Sequence, residues 1–289
     1  MPTSSTAPPA ITISPDDYTG GYPLETASKA LLAQGDSWFS IGALPPWRTT
    51  NLLFGLKLAQ STTIVNCAKP GAVLTHMTDT TTDTKFLQIL NGPLSMKFDA
   101  ILLSGGGNDM IDAVQSTHDS PEKRLLLRAS EWGQPVAGAA RYISEEGWST
   151  FEGHMEDVFT RFIAARDKAA SKNRHTPVVF HTYDRPTPRD ASAGFGFGPW
   201  LCKAFTAFAI PPHDWHDVSV ELFERLRVML VRLGQQFPNM HLVDTQGTLA
   251  PAAASDAGAS TDWQNEIHPT RSGYKQLAAK WVPVIEAVY

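Results

Sequence analysis

The sequence predicts an α/β fold built on a central parallel sheet of five strands. Short apolar runs of strand length recur along the chain, and turn residues such as glycine and asparagine follow them. Longer segments with apolar residues at helical spacing separate these runs. Strands and helices that alternate in this way are typical of a parallel sheet with helices on both faces.

The five predicted strands are short and rich in leucine and β-branched residues. This composition is typical of strands that are buried on both faces of a sheet. They comprise residues 30–33, 62–65, 98–103, 177–182 and 240–243.

Three longer segments are predicted to be helices, at about residues 145–170, in the region 221–237 and at about residues 270–288. The second has the clearest apolar stripe, and its charged residues lie off that stripe. The stripe consists of Leu222, Leu226, Met229 or Leu230, Leu233 and Phe237.

The chain is expected to form one domain, over residues 23–289, that follows a polar arm at residues 1–22 rich in threonine, serine and proline. Residues 184–215 do not fit the alternation, because they contain five prolines, three glycines and six aromatic residues. A loop of this length is uncommon in a compact domain. We expect a lid or pocket wall here, with a short helix at about 200–208, although a satellite core beneath a long loop is an equal alternative.

Composition excludes several classes of protein. The net charge of −5 and the lack of a lysine or arginine cluster argue against nucleic acid as a partner. No apolar run is long enough to span a membrane, so an integral membrane protein is not expected. The two cysteines, Cys67 and Cys202, are too few for a four-thiolate zinc site.

The first 17 residues lack the basic and apolar regions of a secretory signal. The sequence as it stands therefore predicts a cytoplasmic protein. Export by another route, or a leader missing from this sequence, are the alternatives.

Ligands of open α/β sheets bind at the carboxyl ends of the strands, so the residues that follow each strand are the candidates for a site. Ser37 follows the first predicted strand, Gly71 the second and Asn108 the third, and His268 lies beyond the fifth. Taken singly, Ser37, Gly71 and Asn108 each have a structural explanation as a helix cap or turn residue.

Together these residues resemble, in order, the four motif blocks of the SGNH (GDSL) hydrolases. The blocks are Gly-Asp-Ser at 35–37, Gly71, Gly-Asn-Asp at 107–109 and His268-Pro269. The resemblance extends over about residues 28–289. It implies a single three-layer, flavodoxin-like domain with the strand order 2-1-3-4-5, and an activity on esters or thioesters.

The resemblance also assigns roles to the motif residues. It implies Ser37 as the nucleophile, His268 as its base, and Ser37, Gly71 and Asn108 as donors to the oxyanion. A serine hydroxyl needs a neighbouring imidazole to accept its proton, and the developing oxyanion needs fixed N–H donors. This chemistry requires neither a metal nor an organic cofactor, and we expect none.

The sequence departs from the family pattern at the acid. The family has aspartate three residues before the histidine, whereas this chain has Asn265. Asn265 could orient the imidazole through its side-chain oxygen, Asp262 could reach it over a longer loop, or Glu266 could serve. We favour Asp262, because a carboxylate stabilises an imidazolium better than an amide does.

The sequence thus predicts a serine hydrolase that cleaves carboxylic esters of a small molecule, lipid or glycan through an acyl-enzyme, with a preference for short acyl groups. An O-acyltransferase that uses the same site is one alternative. A non-catalytic module that binds a carbohydrate or a protein partner is the other. The oligomeric state is left open.

Overall fold

The computed structural model describes residues 7–40, 50–79, 81–132 and 138–289. Within these ranges one parallel sheet has the strand order β1-β3-β2-β4-β5-β6. The strands are β1 (Ile11–Ile13), β2 (Lys29–Gly35), β3 (Thr62–Asn66), β4 (Ala100–Ser104), β5 (Val178–His181) and β6 (Met240–Val243). The helices are α1 (Pro15–Thr19), α2 (Leu74–Met77), α3 (Thr84–Leu90), α4 (Gly107–Gln115), α5 (Glu145–Arg166), α6 (Leu201–Ala207), α7 (Trp215–Gln236) and α8 (Arg271–Glu286).

The sheet of the described residues has six strands, so the predicted number of five was wrong. The additional strand, β1, lies in the segment predicted to be a polar arm, of which residues 1–6 lie outside the described ranges. It pairs with β3, from Ile11 opposite Thr63 to Ile13 opposite Val65. Three residues at a sheet edge are too few to give a recognisable alternation of apolar and polar positions. The other five strands have the predicted order.

Helices pack on both faces of the sheet, as two adjacent residues of β5 demonstrate. Successive strand residues point to opposite faces. The ring of Phe180 lies 5.7 Å from that of Phe159 in α5, whereas the ring of His181 lies 5.4 Å from that of Trp281 in α8. The sheet is therefore covered by α5 on one side and by α8 on the other.

Helix α5 begins at the predicted residue 145 and ends at Arg166 rather than at about 170, whereas α7 begins at Trp215, six residues before the predicted region 221–237. Ser144 caps α5, because its hydroxyl accepts the backbone N–H of Gly147 at 3.0 Å. All predicted stripe residues of α7 up to Leu233 are buried. No helix within the described ranges combines the length and the apolar character needed to cross a membrane.

Residues 184–215 contain the predicted short helix, α6, and pack against the rest of the chain. Leu201 and Phe205 of α6 are fully buried. The carboxyl ends of β2, β4 and β5 form one edge of the sheet. The segment that carries His268 lies over this edge, and the site is located where the two meet.

Candidate active site

Ser37 and His268 meet, although 231 positions separate them in the sequence. Ser37 lies in the turn that follows β2, and His268 lies three residues before α8. The Nε2 atom of His268 is 2.8 Å from the hydroxyl oxygen of Ser37. Both residues are buried. The structure thus brings together the two residues that the sequence predicted as nucleophile and base.

Asn265 holds the other side of the imidazole. Its side-chain oxygen lies 3.0 Å from Nδ1 of His268 and also accepts the backbone N–H groups of Ile267 and His268 at 3.1 and 2.9 Å. The two backbone donors fix the orientation of the amide, because its NH₂ group cannot accept from them. An oxygen therefore faces Nδ1, so that Nδ1 carries the ring proton and Nε2 has a lone pair directed at Ser37.

Asp262, which we favoured as the orienting acid, is bound elsewhere. Its carboxylate accepts the backbone N–H of Ala250 at 3.0 Å and the side-chain amide of Gln276 at 2.9 Å. Its backbone oxygen accepts the N–H of Thr270 at 2.7 Å, which places Asp262 at the base of the loop that carries His268. Asn265 lies further along this loop and reaches the ring, so the prediction for Asp262 is corrected in favour of Asn265.

Glu266, the third candidate, is buried and holds the start of α6. Its carboxylate accepts the backbone N–H groups of Leu201 and Cys202 at 2.9 and 2.7 Å, and also that of Trp200. Burial raises the pKa of Glu266, although these backbone donors oppose the effect. The carboxylate thus joins the loop of His268 to residues 184–215 and is not directed at the imidazole.

Asn108 lies beside the serine and beside the turn that contains Gly71. Asn108 and Ser37 line the same cavity, and the side-chain amide of Asn108 donates to the backbone oxygen of Ala72 at 3.1 Å. Gly71 has a φ of +72° in a turn in which Ala72 N–H donates to the oxygen of Lys69. Proline followed by a glycine of positive φ is typical of a type II turn. The side-chain amide of Asn108 has a second N–H to donate, and Asn108 lies on the wall of the cavity.

A buried polar cluster beneath Ser37 was missed by the sequence analysis. The carboxylate of Asp36 accepts the backbone N–H of Trp38 at 2.9 Å and the hydroxyl of Ser104 at 2.8 Å. The second carboxylate oxygen of Asp36 accepts a hydrogen bond from the hydroxyl of Tyr183. Burial raises the pKa of Asp36 to about 6, against the effect of these donors. The cluster fixes the turn that carries the nucleophile.

Tyr183 reaches Asp36 from a backbone conformation that is unusual for a residue with a side chain. Its φ is 59°, in the left-handed region, where such residues are rare and strained. Tyr183 and Ser104 both lie at the carboxyl ends of strands. This position is the signal by which the sequence could have indicated them.

His181 is the last residue of β5, and Asp184 lies three residues beyond it. His181 is buried, its Nε2 lies 3.0 Å from the hydroxyl of Ser104, and burial lowers its pKa to about 3. Asp184 lines the cavity beside Ser37, but its carboxylate accepts the backbone N–H groups of Gly247 and Leu249. His181 therefore contacts the neighbouring strand β4, whereas Asp184 binds the backbone of residues 247–249.

Residues 184–215 form part of the wall of the site. The Trp200 ring lies 5.4 Å from the His268 ring, in an edge-on arrangement. The buried guanidinium of Arg189 donates to the backbone oxygen of Asn265 at 2.7 Å. These contacts hold the loop that positions the imidazole.

Burial lowers the pKa of His268 to about 4, because no neighbouring group compensates for the lost hydration of the imidazolium. The imidazole is therefore neutral at pH 7 and able to accept a proton. Within the described ranges, no three histidine, cysteine or carboxylate side chains come together in an arrangement that could hold a metal ion.

Comparison with solved structures places this fold among those of lipases. A GDSL-like lipase from Parabacteroides merdae aligns with a TM-score of 0.50 and 15% identity, over 89% of this chain and 95% of that chain. An extracellular lipase from Streptomyces rimosus aligns with a TM-score of 0.50 and 15% identity, over 91% of this chain and all of that chain (100%). No protein-family model and no curated protein sequence matches this chain. The resemblance to SGNH (GDSL) proteins is thereby confirmed for the fold.

Proposed function

We propose that this chain is a serine hydrolase that cleaves carboxylic esters through an acyl-enzyme intermediate. The observation that carries the proposal is the hydrogen-bonded series from Ser37 through His268 to Asn265, with distances of 2.8 and 3.0 Å. A nucleophile, a base within hydrogen-bonding distance and a third group that orients the base are the parts that nucleophilic catalysis requires.

In the first step the hydroxyl oxygen of Ser37 attacks the ester carbonyl carbon, and its proton passes to Nε2 of His268. The carbonyl oxygen becomes an oxyanion, which accepts hydrogen bonds from the side-chain amide of Asn108 and the backbone N–H groups of Ser37 and Gly71. The carbon–oxygen bond to the alcohol then breaks. Nε2 returns its proton to the alcohol oxygen, and the acyl group remains on Ser37.

In the second step a water molecule takes the position that the alcohol has left. Nε2 of His268 accepts a proton from this water, whose oxygen attacks the acyl carbon. The bond to Ser37 breaks, its oxygen recovers the proton from Nε2, and the carboxylic acid is released. The same donors stabilise the oxyanion in both steps.

Asn265 acts in this scheme through the imidazole. Its oxygen keeps the proton on Nδ1, so that the lone pair of Nε2 stays directed at Ser37. An amide carries no charge, and the imidazolium formed in each step receives less stabilisation than a carboxylate would give. The low pKa of His268 is consistent with this arrangement.

A fluorophosphonate probe tests the proposal, because it labels serines that are activated as nucleophiles. We expect stoichiometric labelling of the protein and its loss in Ser37→Ala. Ser28→Ala serves as the matched control, since Ser28 is exposed and its hydroxyl lies 3.0 Å from that of Ser61. Folded protein that takes up no label would instead support a non-catalytic binding module.

A further inference from the structure

The cavity beside Ser37 is small and mostly apolar. Asn108 and Ser37 lie on its wall, and the apolar part of that wall is formed by Trp38, Ile111, Pro186, Phe223, Trp263 and Ile267. Its volume is about 20 Å³. A water molecule needs roughly 10–15 Å³ by the same measure, so the cavity has room for one group of that size, such as a methyl group.

An aromatic hairpin at residues 194–197 lies next to Trp200, near the site. Ala193 and Phe197 close it, because the N–H of Ala193 donates to the oxygen of Phe197 at 2.8 Å. Phe195 is 81% exposed and Phe197 is 60% exposed. Among the large apolar side chains of the described residues, these two are the most exposed.

The hairpin is joined to the catalytic imidazole through Trp200. A Cβ atom on Gly198 would lie 2.6 Å from the indole of Trp200, so the indole packs directly on the backbone next to Phe197. The indole also lies 5.4 Å from the ring of His268. Glu266 fixes this arrangement by accepting the backbone N–H of Trp200.

The chemistry determines which part of an ester lies on which side. Nε2 of His268 must reach the alcohol oxygen to return its proton, so the alcohol lies beside His268 and Trp200. The carbonyl oxygen lies at Asn108, and the acyl group extends from the carbonyl carbon into the cavity that Asn108 lines. The small cavity therefore limits the acyl group, whereas the alcohol lies on the side of Trp200, next to the hairpin.

We infer that the substrates are acetyl or similarly short acyl esters of a bulky apolar or aromatic alcohol, and that Phe195 and Phe197 hold this alcohol. The inference rests on the proposed ester hydrolysis, and it specifies the acyl group and the alcohol of the ester. Exposed aromatic side chains lose surface to water when an apolar alcohol covers them, which favours its binding.

The acyl half is tested with p-nitrophenyl acetate, butanoate and octanoate. We expect kcat/KM to be highest for the acetate and to fall with each longer chain. Ile111→Ala and, as a milder change, Phe223→Leu widen the cavity and should raise the butanoate-to-acetate ratio of kcat/KM. A wild-type maximum at octanoate would contradict the inference.

The alcohol half is tested with 2-naphthyl acetate and methyl acetate, which share the acyl group. In the double variant F195A/F197A we expect kcat/KM for 2-naphthyl acetate to fall about tenfold, as two aromatic contacts would give. The value for methyl acetate should not change, because methanol is too small to reach the hairpin. Val228→Ala, which removes an exposed apolar side chain of α7, is the matched control.

The results separate a failure of this inference from a failure of the proposed function. If the double variant lowers kcat/KM equally for both acetates, or for neither, the hairpin does not hold the alcohol. Such a result leaves ester hydrolysis by Ser37 intact. If the wild type hydrolyses none of the esters and takes up no fluorophosphonate, the proposed function itself is wrong.

Discussion

The side-chain oxygen of Asn265 lies 3.0 Å from Nδ1 of His268 and is held there by two backbone N–H groups. In serine hydrolases with a carboxylate at this position, the negative charge orients the imidazole and stabilises its protonated form. The amide of Asn265 supplies the orientation without the charge. The pKa of His268 is lowered to about 4 by burial, with no carboxylate bound to the ring to raise it.

The first prediction concerns the pH dependence of the wild-type enzyme. The unprotonated imidazole is the active form, so kcat/KM should rise with pH through the pKa of His268 and be level above it. With a pKa of about 4, we expect almost full kcat/KM at pH 6 and a steep loss below pH 4. Hydrolysis of p-nitrophenyl acetate from pH 3.5 to 8, with circular dichroism to verify folding, measures this. Half-maximal kcat/KM near pH 6.5 would contradict it.

The second prediction is that Asn265→Asp moves this profile to higher pH. A carboxylate beside Nδ1 favours the imidazolium, so the pKa of His268 rises, by about one to three units in comparable pairs. The pH of half-maximal kcat/KM should rise with it. Asn265→Ala removes the orienting oxygen and should lower kcat by about 10²-fold, the lower end of general-base contributions.

Asp262→Asn is the control for this series, because it exchanges a carboxylate for an amide in the same loop. The carboxylate of Asp262 faces Ala250 and Gln276, so the profile and kcat should remain those of the wild type. A loss of kcat in Asp262→Asn as large as that in Asn265→Ala would restore Asp262 as an orienting residue.

The third prediction concerns the oxyanion. Asn108→Ala removes a side-chain donor, and the loss of one such donor costs about 10²–10³-fold in kcat. KM should change little, because the donor acts mainly on the charge that develops in the transition state. Gln115→Ala removes an amide from the same helix, α4, and should retain wild-type kcat. Unchanged kcat in Asn108→Ala would remove this residue from the proposed oxyanion site.

Much of the fold could be predicted from the sequence, because its elements have local signals. The buried strand β4 is an apolar run that ends at Ser104 and is followed by three glycines, and α7 has a regular apolar stripe. The strand β1 could not be predicted in this way. Its pairing with β3 depends on tertiary contacts that a three-residue segment does not indicate.

The site was predictable where its residues belong to motifs and unpredictable where it depends on loop geometry. Ser37, Asn108 and His268 could be selected because they follow strands or precede a helix. The choice among Asn265, Asp262 and Glu266 depends on hydrogen bonds that close the loop, such as that between Thr270 and Asp262. No local pattern predicts such bonds.

The last prediction concerns stability and the buried His181. Its pKa is about 3 in the folded chain, whereas an unfolded histidine has a pKa of about 6.5. Between these values the unfolded chain binds a proton that the folded chain does not, so this residue makes stability fall as pH decreases from 6.5 towards 3. Over the interval from pH 7 to pH 5, the loss is about 2 kcal/mol of the free energy of unfolding.

His181→Gln removes this titration and keeps a polar partner for the hydroxyl of Ser104. We expect the wild type to lose about 2 kcal/mol more than this variant between pH 7 and pH 5, whatever their difference at pH 7. Urea unfolding at both pH values measures the two losses, and all other titrating groups cancel in the comparison. Equal losses would show that His181 binds a proton as readily in the folded chain as in the unfolded one.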